Sequence, residues 1–242
     1  MPAIETRKLT KKYKDLTAVD ELSLTVEEGE LFSLLGVNGA GKTTTIKMLS
    51  CLTQPTEGDA YILGKSIRTD TAEVKSAIAV SPQETAVAPG LSVKENLALI
   101  CGVHGFSKEK TAEKIEEITA LLGLTSVFER KAGKLSGGFQ RRLSIAMALV
   151  SEPRVLFLDE PTLGLDVLAR SDLWDVIRSL KGKITVILTT HYMEEAEALS
   201  DRIAIMKGGR LLMCDTPDHI KKSTGESSIE GAFIKIVKGA EK

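Results

Sequence analysis

Cysteine is scarce in this 242-residue sequence, and the three present, Cys51, Cys101 and Cys214, are scattered without any C-x-x-C spacing. An odd, unclustered set supports neither a disulfide framework nor a zinc site, and it fits a reducing compartment. No apolar run reaches the ~20 residues that a membrane helix needs. The opening Met1-Pro2-Ala3-Ile4-Glu5-Thr6-Arg7 lacks the apolar core of a signal peptide. Any membrane role is therefore expected to require a partner. Charge excess of one sign is missing too: 32 Lys and Arg stand against 33 Asp and Glu, so no basic field argues for nucleic acid and no charged tail is marked. Internal repeats and low-complexity segments are absent.

What is present is an ordinary globular composition, 43% hydrophobic and long enough for one large α/β domain or two small ones. Residues 4–9 read as a strand, Leu22, Leu24 and Val26 alternate with polar residues, and an apolar run fills 31–35. A helix is expected from Lys42 to about Leu52, stopping before Pro55 because proline disfavours helical geometry in the residue ahead of it. Residues 92–150 read as mainly helical. Ser92-Val93-Lys94-Glu95 is a capping box, and Ala112, Ile115, Ile118 and Leu122 mark an amphipathic helix after Ser107. From 154 onward, short apolar runs at 155–158, 184–188 and 202–206 alternate with helical patterns at 167–180 and 193–199, the rhythm of a parallel sheet. Lys207-Gly208-Gly209-Arg210 supplies a tight turn into 211–214, and Thr216-Pro217 starts a short helix. Ile229, Phe233, Ile234 and Ile236 outline a closing amphipathic helix, against which Gly225 and Gly231 count.

Gly36-Val37-Asn38-Gly39-Ala40-Gly41-Lys42-Thr43 matches the P-loop pattern, with a strand before it and a helix after it as that mechanism demands. Glycines let backbone N–H groups turn toward phosphate oxygens, and the helix start adds a favourable dipole. Lys42 neutralises β and γ charge, and Thr43 offers a hydroxyl to Mg²⁺. The bland alternative is a glycine-rich turn, but such a match arises by chance on the order of once per hundred chains of this size. The motif alone suits GTPases, kinases and many ATPases equally, so the reaction type rests on other residues.

Asp159-Glu160 sits at the carboxyl end of the 155–158 run, where open α/β sheets place their ligands. Alternation along a strand would send Asp159 to the Mg²⁺ shell and Glu160 elsewhere, toward an attacking water. Alone, the pair reads equally as an acidic helix cap. Pro161-Thr162-Leu163-Gly164-Leu165-Asp166 follows at once, and Leu135-Ser136-Gly137-Gly138-Phe139-Gln140 opens a helix upstream. Together these segments resemble the Walker B strand, the D-loop and the signature motif of ABC transporter ATPases. They are joined to a P-loop in that family's order, and the resemblance spans essentially the whole chain.

The resemblance implies an α/β fold: a P-loop NTPase of the ABC-ATPase type with a RecA-like parallel-sheet core (1–90 and 154–215) that includes an N-terminal antiparallel β subdomain. A helical subdomain (about 91–150) carries the signature motif, and a short C-terminal helical extension (216–242) completes one domain. ATP and Mg²⁺ are the implied ligands. ATP falls to Gly36, Asn38, Gly39, Ala40, Gly41, Lys42, Thr43 and Thr44, and to Tyr13, which matches the A-loop aromatic that stacks on adenine. Mg²⁺ falls to Thr43, Asp159 and Gln83. Gln83, in Ser81-Pro82-Gln83, matches the Q-loop that also contacts the membrane partner. Catalysis falls to Glu160, Lys42, Gln83 and His191, the last matching the switch histidine that meets the γ-phosphate. Ser136, Gly137, Gly138, Phe139 and Gln140 would serve the nucleotide of a second subunit, and Asp166 belongs to the D-loop. Phe139 departs from the glutamine of many members. The backbone anion site is expected to survive that change.

The resemblance further implies a head-to-tail homodimer or heterodimer of ATPase subunits at the cytoplasmic face of the membrane. A separate transmembrane permease would be driven by ATP hydrolysis, and no nucleic acid is expected. His191-Tyr192-Met193-Glu194-Glu195-Ala196-Glu197-Ala198-Leu199 and Ser228-Ile229-Glu230-Gly231-Ala232-Phe233 resemble the branch of drug, sodium and polysaccharide or lipid exporters. One alternative is a soluble ABC ATPase acting on ribosomes or DNA, against which one cassette and balanced charge argue. Another is a nucleotide-binding scaffold with little hydrolysis, should Phe139 weaken the composite site. His104 and His219 read as ordinary surface residues.

Overall fold

A hairpin opens the chain: β1 (Ile4–Tyr13) and β2 (Leu16–Val26) pair antiparallel from Ile4 opposite Val26 to Tyr13 opposite Leu16. With β4 (Glu57–Ile62) and β5 (Lys65–Ser66) they form a four-stranded antiparallel sheet in the order β2-β1-β4-β5. The computed structural model describes residues 1–240, so residues 241 and 242 of the expected C-terminal extension lie outside the described residues. A second sheet contains β3 (Leu31–Leu35), β6 (Ile78–Ser81), β7 (Val155–Asp159), β8 (Thr185–Thr190), β9 (Arg202–Lys207) and β10 (Arg210–Asp215). Its order is β10-β9-β3-β8-β7-β6, parallel except for β10. The strands β3, β7 and β8 are buried on both faces, as a sheet covered on both sides requires. Alternation sorts them: Leu156 and Leu158 enter one core, Val155 and Phe157 the other.

On the first face lie α3 (Val93–Val103), α4 (Lys108–Leu121), α5 (Gly137–Leu149) and α6 (Val167–Leu180), with Leu97, Ile118, Leu143, Ile177 and others in a shared core. The opposite face packs on α1 (Lys42–Leu49), on Val74 of α2 (Thr71–Ala77) and on the antiparallel sheet. A third cluster seats α7 (Met193–Leu199), α8 (Pro217–Thr224) and α9 (Ile229–Gly239) against Leu35, Ile203 and Ile205. Capping explains where several helices start. The Ser92 hydroxyl accepts from Glu95 N at 3.1 Å while Glu95 accepts from Ser92 N at 2.7 Å, the reciprocal box the sequence announces. Such a cap contributes about 1 kcal/mol.

Several boundaries differ from the sequence pattern. The helix expected to about Leu52 ends at Leu49, because the Ser50 hydroxyl bonds back to Ile46 O and Cys51 turns left-handed at φ 57. The first strand runs on to Tyr13 through register shifts, hidden from pattern reading by its polar tail. Residues 57–81, which gave no pattern, hold two strands of one sheet, one of the other and a short helix. The closing helix does form, with Gly225 serving as the left-handed C-cap of α8. Its apolar stripe is Ile229, Ala232 and Phe233, whereas Ile234 is 45% exposed. His104 and His219 are both surface residues, His219 with its ring 2.5 Å from Asp215.

Candidate functional site

Parallel strands bring their carboxyl ends to one edge of the sheet, and chemistry-bearing residues collect there. Gly36 follows β3, Gln83 follows β6, Asp159 ends β7 and His191 follows β8. The edge opens into a cleft of ≈ 620 Å³ whose lining includes Asn38, Gly39, Ala40, Gly41, Lys42, Thr43, Thr44, Gln83, Glu160 and His191.

Two glycines make the loop possible. Gly41 adopts φ 101, and a Cβ there would lie 2.5 Å from Ala18 O; at Gly36 it would lie 2.6 Å from Met206 O. Gly41 is also the N-cap of α1 and places no side chain over the first turn, so the N–H groups at the helix start face the cleft with their dipole. Lys42 is 5% exposed and folds across the loop, donating to Gly36 O at 2.7 Å and Val37 O at 3.2 Å. Burial holds its ammonium below the usual lysine range, opposed by the nearby Glu160 and Asp159 carboxylates.

A polar chain runs beside the loop. Asp159 Oδ1 accepts from Thr43 Oγ1 at 3.2 Å and from Thr189 Oγ1 at 2.5 Å. Glu160 Oε1 lies 3.7 Å from Lys42 Nζ and 3.3 Å from His191 Nδ1. Strand alternation, expected from the sequence to direct Glu160, is not what sets its direction. The strand ends at Asp159, and Glu160 turns left-handed at φ 46, with its N–H held by Thr189 O at 3.1 Å and Thr189 Oγ1 at 3.0 Å. A left-handed non-glycine residue costs roughly 1–2 kcal/mol, so its surroundings must hold it there.

The donor set suits Mg²⁺. Thr43, Asp159 and Gln83 offer hard oxygens, with one carboxylate among them, and Mg²⁺ commonly takes one or two carboxylates plus substrate phosphates. Among the described residues no cluster of three His, Cys, Asp or Glu could hold a metal by itself. Tyr13 is not brought into the cleft lining. Its ring is 45% exposed with the Lys11 ammonium 5.0 Å from the centroid, and Leu16, Thr17 and Ala18 line that side instead.

The remaining sequence candidates stand apart from the cleft. Ser136 and Gly137 are exposed at the start of α5. The hydroxyls of Ser92, Ser107, Thr216 and Ser228 each cap their helix, yet Ser136 in the same position makes no such bond. Gln140 is engaged inside the chain, donating to Ala132 O and Leu135 O, and Phe139 is half-buried with Arg142 5.6 Å from its ring centroid. Asp166 caps α6 by accepting from Ala169 N at 2.9 Å. Sequence reading missed Glu195. It is fully buried, with Oε1 accepting from Thr162 Oγ1 at 2.8 Å and Trp174 Nε1 at 3.1 Å, and burial pushes its carboxyl up.

An uncapped helix start at the carboxyl edge of a parallel sheet, with a buried lysine across it and two acids beside it, defines the chain as a P-loop nucleotide-binding protein. The sequence pattern described as ABC transporter matches residues 19–163, more than half of the chain, and the chain belongs to the ABC transporter family. It is 38% identical over 240 residues to the probable multidrug ABC transporter ATP-binding protein YbhF of Escherichia coli K12, covering 97% of this chain and 41% of that protein. The chain thus spans about two-fifths of that relative's length. It is 41% identical over 226 residues to the daunorubicin/doxorubicin resistance ATP-binding protein DrrA of Streptomyces peucetius, covering 93% of this chain and 68% of that one. Among solved structures, an ATP-binding subunit of an ABC transporter superposes with a TM-score of 0.85 at 26% identity, covering 97% of this chain and 99% of the other. A dimeric ATP-binding cassette in a post-hydrolysis state, bound to ADP and Pi, gives 0.78 at 27% identity, covering 88% and 98%.

Proposed function

We propose that this chain is the ATP-hydrolysing subunit of an exporter, working as a dimer beneath a separate transmembrane permease at the cytoplasmic face of the membrane. The carrying observation is Glu160, whose carboxylate stands 3.7 Å from Lys42 Nζ and 3.3 Å from His191 Nδ1 in the lining of the cleft. A carboxylate there accepts the proton of an attacking water. Lys42 then swings from its carbonyl partners to the β and γ phosphates, His191 orients the terminal phosphate, and the loop N–H groups carry the rest of the charge. Thr43, Asp159 and Gln83 would hold Mg²⁺, which when bound neutralises phosphate charge.

Dimerisation is supported by the idle half of the constellation. Ser136, Gly137 and Gly138 form a second anion-ready helix start that lies outside the lining of the ≈ 620 Å³ cleft, and head-to-tail pairing would lay them on the partner's nucleotide. Loss of the bridging phosphate would then let the subunits part. The spanning segments are assigned to a separate chain in this reading; among the described residues, no helix is long and apolar enough to cross a membrane. Export of drugs is supported by the relatives, which are named for multidrug transport and drug resistance.

The test is a Mg²⁺-ATPase assay with Glu160→Gln alongside. The variant should bind ATP with parental affinity, lose roughly 10²-fold or more in turnover and accumulate as an ATP-bound dimer by light scattering. Parental hydrolysis by Glu160→Gln would remove Glu160 as the base. Recovery of a multi-spanning protein with the chain from detergent extracts tests the permease.

A further inference from the structure

Arg141 stands one turn into α5 from the signature residues and is 4% exposed, yet no carboxylate hydrogen-bonds it. Its guanidinium donates instead to four backbone carbonyls: Pro161 O at 2.8 Å, Asp159 O at 2.6 Å, Gln83 O at 3.1 Å, and Pro82 O. These belong to three separate segments, the loop after β6, the end of β7 and the start of the D-loop. One side chain therefore ties all three to the signature helix.

A buried guanidinium without a paired acid is an expensive way to fill space, and burial lowers Arg141 to about 10. It stays charged at neutral pH all the same. Lysine or methionine would fill the volume, but only a planar fork of five donors reaches carbonyls in several directions at once. The peptide joining Asp159 to Glu160 shows what the fork secures. Arg141 holds its oxygen, Thr189 holds its N–H, and the residue that follows is the left-handed Glu160.

We propose that Arg141 is a positioning residue that couples the two nucleotide sites of the dimer. It links this protomer's signature helix, which serves the partner's nucleotide, to the Glu160 and Gln83 that serve its own. The inference rests on the dimeric reading given above. When the partner's phosphate docks on Ser136 and Gly138, any shift of α5 carries Arg141 with it, and the grip on Asp159 O sets the direction of Glu160. Arg141 hydrogen-bonds no P-loop residue, so the phosphate cradle is left alone.

Arg141→Met and Arg141→Lys test this in the full chain through turnover against ATP concentration, binding of a fluorescent ATP analogue, and thermal melting. Displacing a base by about 1 Å costs up to ~10²-fold. Arg141→Met should lose tenfold or more in kcat at an analogue affinity within about twofold of the parent, and its Hill slope should fall to about 1. Arg141→Lys should recover part of the kcat, since an ammonium donates to three carbonyls at most. Where Arg141→Met does not fold, Arg141→Lys alone decides, by a kcat below the parent's at unchanged affinity. The proposal is overturned if the folded variants turn over like the parent, if kcat falls only in step with affinity, or if the parent's own Hill slope is about 1. Failure of the dimeric reading is seen separately: Glu160→Gln with Arg141 intact would stay monomeric in saturating ATP.

Discussion

Two of the helices that begin without a side-chain cap, α1 and α5, meet opposite surroundings. At the start of α1, Gly41 leaves the first turn open into a ≈ 620 Å³ cleft with Lys42, Thr43, Glu160 and His191 around it. At the start of α5, Ser136 leaves its hydroxyl off the first turn, but the cleft does not reach it, and the side chains nearest Gly137 and Gly138 are Leu165 and Ala169. Chemically the two ends are alike, each offering N–H groups and the positive end of a dipole. What separates them is company. One has an ammonium, a carboxylate and a metal-suited pair within its own chain, and the other, in the dimer proposed above, is half of a site that a second copy completes.

The comparison breaks most visibly at Lys42. Lys42→Ala removes the only ammonium lining the cleft among the described residues while leaving α5 intact, so ATP affinity should fall by about 10²-fold or more, read by equilibrium binding. Equal affinity in parent and variant would mean that the α1 start does not outrank the α5 start. Gly138→Asp makes the converse cut. It sets a carboxylate at the signature turn, where even a Cβ comes within 3.1 Å of Ala169 Cβ. Binding to single chains should stay within about twofold, whereas ATP-driven association in a Glu160→Gln background should weaken by about tenfold or more. A Gly138→Asp chain that loses nucleotide as a monomer would place both helix starts in one site.

How these regions were read from sequence follows the same division. The P-loop, the acid pair and the signature segment were legible because each is a contiguous string whose residue types state their chemistry. Strands and helices of the second half were legible because their apolar periods are long and bounded. Residues 57–81 were not, since β6 is three half-buried residues and a buried serine at a sheet edge and β4 opens on Glu57-Gly58-Asp59. Nor were Thr189, Arg141 and Glu195. Their significance lies in partners 18 to 59 positions away, such as Arg141 on Pro82 O and Thr162 on Glu195, and no local pattern encodes those distances. Tyr13, read as an adenine platform, stands at the rim beside Lys11 and outside the lining. Its replacement by alanine measures what that ring adds.

A smaller effect sharpens the inner boundary of the cleft. The Thr189 hydroxyl donates to Asp159 at 2.5 Å and accepts from Glu160 N at 3.0 Å, so Thr189→Val keeps the shape and removes both bonds. A hydrogen bond to a charged acceptor contributes about 1.5–3 kcal/mol, and turnover should fall by roughly tenfold with little change in binding. Steady-state kinetics with a split between kcat and KM decides. A rise in KM alone would place Thr189 with the nucleotide rather than with the base.

The smallest expected effect concerns Glu195 of α7, hydrogen-bonded to Thr162 of the D-loop. Burial raises its folded pKa above the ordinary value of about 4.3, against opposing hydrogen bonds from Thr190, Thr162 and Trp174. Between those two values the folded chain keeps a proton that the unfolded chain has released. Stability therefore falls as pH rises through that window and is flat below it. Glu195→Gln retains an acceptor for Thr162 and Trp174 but has no proton to lose, so the variant should lack this fall. Melting midpoints taken from about pH 4 to about pH 8 should diverge in the variant's favour as pH rises, each 1 kcal/mol appearing as about 2–4 °C in a chain of this size. Parallel curves would mean that Glu195 stays ionised throughout, its charge balanced by Arg170, the cation whose field opposes the burial. In that case the D-loop is backed by an ion pair and not by a neutral acid, and Arg170→Met would become the more damaging change.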